Sequence, residues 1–208
     1  MMTPDETPQI DLAAYDALSR EVPVLARLKR YATGLTDRAW FARLGEAPRP
    51  SVREAAQDFT LRLGFPDATL AILRDWEEAA EAAETADWAA PAWEAEELLR
   101  ADLTGVALSV LSEEAFEIAQ NLIAKEVADS AKAAMEEQAA LWDMVDEGAM
   151  TLAVGAVAQA AHQGGLLLIA AAADPEFDVH EHAFASKLRL FELGRWPVAV
   201  IGTSFSVF

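Results

Sequence analysis

The amino-acid sequence predicts a mainly α protein: a single-domain helical bundle around a buried, uncharged helix at about 149–163, with a short β-hairpin at 198–207. Three observations predict it. Residues 149–173 contain no Asp, Glu, Lys or Arg. Most of the remaining chain repeats apolar residues every three or four positions, the mark of helices with one buried face. The last ten or so residues change to a period of two, as strands do.

Length alone would let 149–173 cross a bilayer, because about 18 apolar residues suffice. Its polar residues argue for a core helix instead. Thr151, Gly155, Gln159, His162 and Gln163 follow helical spacings and draw one stripe, while Leu152, Val154, Val157, Ala158 and Ala161 cover most of the rest. The flanks carry Asp143, Asp146 and Glu147 before and Asp174, Glu176 and Asp178 after, without the Lys and Arg excess that orients a span. No membrane association is expected. Gly164-Gly165 is expected to interrupt the helix.

In chain order, residues 1–9 read as a disordered start, and 10–208 as one helical domain in which 10–65 can form an N-terminal helical subdomain. Leu12, Tyr15 and Leu18 begin a first helix. Pro23 opens a second, with Val24, Leu25, Leu28, Tyr31 and Ala32 inward and Gly34 as its end. Thr36-Asp37 can cap a third helix holding Ala39, Trp40, Phe41 and Leu44. Ser51 starts a fourth through Ala55, Phe59 and Leu63, closed by Gly64-Phe65-Pro66. Asp67 can cap a further helix running from Ala68 into the acidic segment 75–97, until Pro91 breaks it. Residues 103–111 admit two readings, a strand through Val106, Leu108 and Val110 or a buried helix. Ser112-Glu113-Glu114 then starts a long helix, its buried side mostly alanine, which reaches about residue 147.

Beyond Asp174-Pro175 lies a loop, then a helix from Ala183 to Gly194 with Phe184, Leu188, Leu190 and Phe191 inward. Gly202-Thr203 suits a two-residue hairpin turn. Placing Ile201 opposite Ser204 sets Val200 against Phe205 and Val198 against Val207, which sorts apolar from polar faces. A lone hairpin is marginal, so it must rest on the helices, join another strand or pair across a homo-oligomer. The apolar end at Phe208 suggests a tucked terminus.

Charge is distributed unevenly. Residues 75–147 hold twenty acids and three bases, against a total net charge of −19. This surface repels nucleic acid and attracts cationic groups. The first 74 residues hold ten bases, nine of them arginine, and are expected to face the acidic third. Trp76, Trp88 and Trp93 are spaced through the acidic segment and form a candidate surface for a basic protein partner. Each can equally face the core, as large aromatics usually do.

There is no cysteine, which excludes disulfides, thiolate metal sites and cysteine nucleophiles and fits a cytoplasmic protein. The N-terminus has no signal-peptide pattern. All three histidines fall between 162 and 182. His180, His182 and Asp178, with His162 folding back, form the one candidate metal set. No nucleophile elbow or phosphate-binding glycine pattern occurs, and no cofactor is expected. The sequence thus points to a soluble, non-catalytic interaction or accessory protein. The alternative is a small-molecule or metal-dependent enzyme using the His162/His180/His182 region.

Overall fold

A 27-residue helix, α7 (Glu147–Ala173), runs through the centre of the molecule. The structure is a computed structural model and describes residues 12–85, 90–142 and 146–208; the start at 1–9 and Trp88 lie outside them. Asp146 caps α7 by accepting from the Ala149 amide at 2.9 Å, satisfying a donor that the first turn leaves open. Against α7 lies the 30-residue α6 (Glu113–Trp142), whose buried face is Ala115, Ala119, Leu122, Ile123, Val127, Ala131 and Met135. On α7, Ala153, Val157, Ala160 and Ala161 are likewise fully buried. Small side chains on both helices allow the close approach. By length and composition α7 could cross a membrane, but 56% of its most apolar window is buried inside the molecule, as befits a core helix.

The expected break at Gly164-Gly165 is absent, and α7 passes through it. Each glycine costs a helix about 1 kcal/mol relative to alanine, and packing offsets that cost. A Cβ on Gly164 would stand 2.0 Å from the Tyr31 hydroxyl, and one on Gly165 2.7 Å from the Ile123 side chain. The pair marks close contact with neighbours rather than a chain break.

Around this core pack α1 (Leu12–Glu21), α2 (Pro23–Thr36) and α3 (Pro50–Leu63), then α4 (Trp76–Glu84), α5 (Pro91–Val110) and α8 (Ala183–Glu192). Pro23, Pro50 and Pro91 sit in first turns, where the missing N–H removes no helical bond. Gly64 closes α3 in the left-handed region at φ 95°. Helix α2 rests on α6 and α7, and α3 on α8, so the N-terminal helices share the core of the rest. The segment 103–111 is helical through Val110. Leu103, Ala107 and Leu111 are buried at spacings of four, whereas Val106, Leu108 and Val110 are exposed, so their alternation carries no core.

The helix expected over Ala39 to Leu44 does not form. Residues 40–45 are successive turns, Phe41 has φ 60°, and the Arg43 amide donates to the Gly194 carbonyl at 3.0 Å. Trp40, Phe41 and Leu44 are still buried; Trp40 Nε1 donates to Ser130 Oγ at 3.0 Å. Tertiary anchors take over the hydrogen bonds and burial that a helix would have organised.

A second correction concerns Asp67 and Ala68. The expected helix there gives way to β1 (Thr69–Ile72), and the helix cap is Asp75, whose Oδ1 accepts from the Glu78 amide at 3.0 Å. Strand β1 pairs in parallel with β3 (Ser204–Val207), which pairs antiparallel with β2 (Pro197–Ile201). The hairpin forms at Gly202-Thr203, with Ile201 opposite Ser204 and Val200 opposite Phe205 as expected. Its far end differs: Pro197, not Val198, faces Val207, with a register irregularity between Pro197 and Ala199. Proline has no ladder N–H to donate, which fits an irregularity at this point. The third strand that a marginal hairpin needs comes from within the chain.

Candidate functional site

The acidic third presents its carboxylates outward. Glu77, Glu81 and Glu84 of α4, Glu94 and Asp102 of α5, and Glu113, Glu114 and Glu117 of α6 are all exposed. The arginine-rich N-terminal region does not cover them as expected. Among the described residues, Arg38 pairs with Glu192 and Arg62 with Glu181, both in the C-terminal region. Arg74 pairs with Glu78, and Arg100 with Glu97, each within one helical turn. These local partners hold the Glu78 and Glu97 carboxyls below the usual carboxylate range, through the hydrogen bond to each arginine first. The acidic helices therefore keep much of their charge facing solvent.

The tryptophans divide. Trp76 is 8% exposed and stacks on Trp196 and Phe208, with ring centroids 5.6 and 5.5 Å away; as a core residue it offers no partner surface. Trp93 is half-buried and lines a cleft.

That cleft, of about 250 Å³, lies between the start of α5, the first half of α7 and strand β2. Its walls are built by local rules. Pro91 starts α5, so Trp93 and Glu96, three apart, share a side. On α7, Thr151, Gly155 and Gln159 line it at spacings of four, so three of the five residues of the polar stripe face a cavity. Trp196 with Pro197, Val198 and Val200 of β2 completes the apolar wall. At its base Lys187 Nζ lies 2.5 Å from Glu96 Oε2, with side chains 10% and 12% exposed. Lys187 also sits over the Phe59 ring, 5.8 Å from its centroid.

Desolvating both charges costs several kcal/mol per ion, so an ion pair like this adds little net stability. Apolar walls around a few convergent polar groups are, however, the usual form of a ligand site. Lys187 was visible in principle: it stands three residues after Phe184 and four before Phe191, on the buried face of α8. Glu96 had no such signal among the surrounding acids, and Trp196 lay outside the acidic segment.

The histidines are separated by distinct structural tasks. His162 Nε2 is 3.0 Å from the Gln120 carbonyl, on the α6 side of α7. Asp178 accepts from the His180 amide at 2.9 Å, and His182 Nδ1 accepts from the Phe184 amide at 3.1 Å, capping α8. Among the described residues no group of three His, Asp or Glu side chains is placed to hold a metal ion. His180 lines a second, wider groove between α3 and α8, of about 630 Å³. Gln163 is buried, and its amide has no protein partner among the described residues.

Burial lowers the pKa of His162, and of His182 with help from Arg62. The unfolded chain therefore binds protons that the native state resists, and stability rises with pH through that window. The histidines' contribution is complete above the ordinary histidine pKa of about 6.5 and is lost as pH falls from there through their lowered native values. We expect thermal unfolding to show the midpoint decreasing from pH 7.5 to 5.5. A His162→Gln variant, whose amide can still donate to the Gln120 carbonyl, should show a shallower decrease.

No family model, curated protein or solved structure matches this chain.

Proposed function

We propose that this is a cytoplasmic, non-catalytic interaction or accessory protein that binds a basic partner through the exposed acids of α4 and α5. One observation carries the reading: Arg38 and Arg62 pair with C-terminal acids and Arg74 with Glu78, while Glu77, Glu81, Glu84 and Glu94 stay exposed to solvent. Unpaired surface carboxylates of one sign speed encounter with a cationic surface and disfavour anionic ones. The half-buried Trp93 beside them supplies the apolar anchor that charge alone lacks.

The test is affinity capture from cell extract, comparing wild type with Glu77→Gln/Glu81→Gln/Glu84→Gln/Glu94→Gln. A Glu136→Gln/Glu137→Gln variant controls for charge loss elsewhere. Wild type and control should recover the same basic protein in a salt-sensitive manner, and the quadruple variant should lose it. Equal recovery by the quadruple variant would remove the proposal.

A further inference from the structure

The cleft at Glu96 and Lys187, which shares Trp93 with the acidic surface, carries a second inference. We infer that it binds a small apolar zwitterion, of the class of a free amino acid with an aliphatic or aromatic side chain. Size is the first argument. At about 250 Å³ the space is below the usual range for drug-sized ligands, which suits a molecule of one residue and excludes a nucleotide or a folded peptide segment.

Charge is the second. The carboxylate of Glu96 and the ammonium of Lys187 meet through one oxygen and one N–H. Each keeps hydrogen-bonding capacity: an ammonium has three donors and a carboxylate about four lone-pair sites. A ligand ammonium on Glu96 and a ligand carboxylate on Lys187 close a ring of four alternating charges, leaving no ion unpaired at a largely buried pair. A singly charged ligand leaves one charge in excess there.

The walls are the third argument. Trp93 and Trp196, with Val198 and Val200, offer apolar surface next to the pair, and Gln159 adds an amide. The ligand's side chain then lies against these walls while its charged end meets the pair. A net-neutral zwitterion also escapes repulsion by a protein of charge −19, unlike anionic metabolites.

Thermal shift and calorimetric titration test this with L-leucine and L-phenylalanine. Two smaller controls each lack one charge: 3-methylbutylamine has no carboxylate, and 4-methylpentanoate has no ammonium. Wild type should be stabilised progressively by the amino acids, and the controls should bind at least about tenfold more weakly. Two variants should abolish the response. Glu96→Gln/Lys187→Met removes the charges as a pair, which buried sites usually tolerate. Gly155→Leu instead intrudes on the cleft that Gly155 lines and leaves the pair intact; a Cβ there meets nothing within 4 Å, and an unchanged far-ultraviolet circular dichroism spectrum shows that the variant folds.

No response of wild type at about 10 mM amino acid, roughly tenfold above a millimolar Kd, would overturn the inference. So would an equal response to either control, or unchanged binding by the Gly155→Leu variant. Capture of the basic partner is read independently, since none of the four acids neutralised in that test lies in the ion pair.

Discussion

Phe208→Ala should lower the stability of the whole molecule by about 3–5 kcal/mol, the range for emptying a buried aromatic site. Phe208 is fully buried. Its ring packs 5.5 Å from Trp76 and 5.7 Å from Trp142, and its amide and carbonyl exchange 2.8 Å hydrogen bonds with Trp196. The substitution keeps those backbone bonds and removes the ring on which the sheet, α4 and the end of α6 converge. Urea unfolding should show a lower midpoint. Near-ultraviolet circular dichroism should weaken at the tryptophan bands even in the native baseline, because Trp76 and Trp142 lose a neighbour. A midpoint within error of wild type would mean that the aromatic cluster does not hold these elements together.

Gly164→Ala should destabilise by about 1 kcal/mol, against its helix propensity. Alanine in mid-helix is worth about 1 kcal/mol over glycine, but the new Cβ would stand 2.0 Å from the Tyr31 hydroxyl and 3.0 Å from Leu188 Cδ2. Overpacking of this kind costs about 1–3 kcal/mol. The phenol cannot easily withdraw, because it donates to the Ala161 carbonyl at 3.0 Å. Burial, with Glu192 nearby, raises its pKa and keeps it protonated as a donor.

A double-mutant cycle isolates the clash. Tyr31→Phe alone loses one hydrogen bond, about 1 kcal/mol; in that background Gly164→Ala should cost clearly less than it does alone. Additive costs would show that the hydroxyl is not what excludes a side chain at position 164.

Elements specified by neighbours in the chain were legible. The hairpin turn at Gly202-Thr203, the pairing of Val200 with Phe205, the cap of α3 at Gly64 and the alanine face of α6 follow from residues within a few positions of one another. The segment 103–111 was ambiguous because Val106, Leu108 and Val110 imitate a strand while Leu103, Ala107 and Leu111 carry the buried face. The candidate metal set failed to assemble for a related reason. Two-residue spacing brought His180 near His182, but Asp178 and His182 were committed to local backbone donors.

Local composition and spacing by themselves decided that the chain is mainly helical, that 149–173 is a core segment, and that the middle third carries the charge. Tertiary structure decided three other things. Thr69 to Ile72 became a strand because an edge of β3 lay open to it, 134 residues away between Thr69 and Thr203. The Gly164-Gly165 pair stayed helical because Tyr31 and Ile123 needed the room. Glu96 met Lys187 because α5 and α8 converge beside β2. Periodicity states which face of a segment avoids water; it contains no information on which other face will cover it. Strand partners, close approaches and clefts are properties of two surfaces meeting, and so they appear only when the chain is folded.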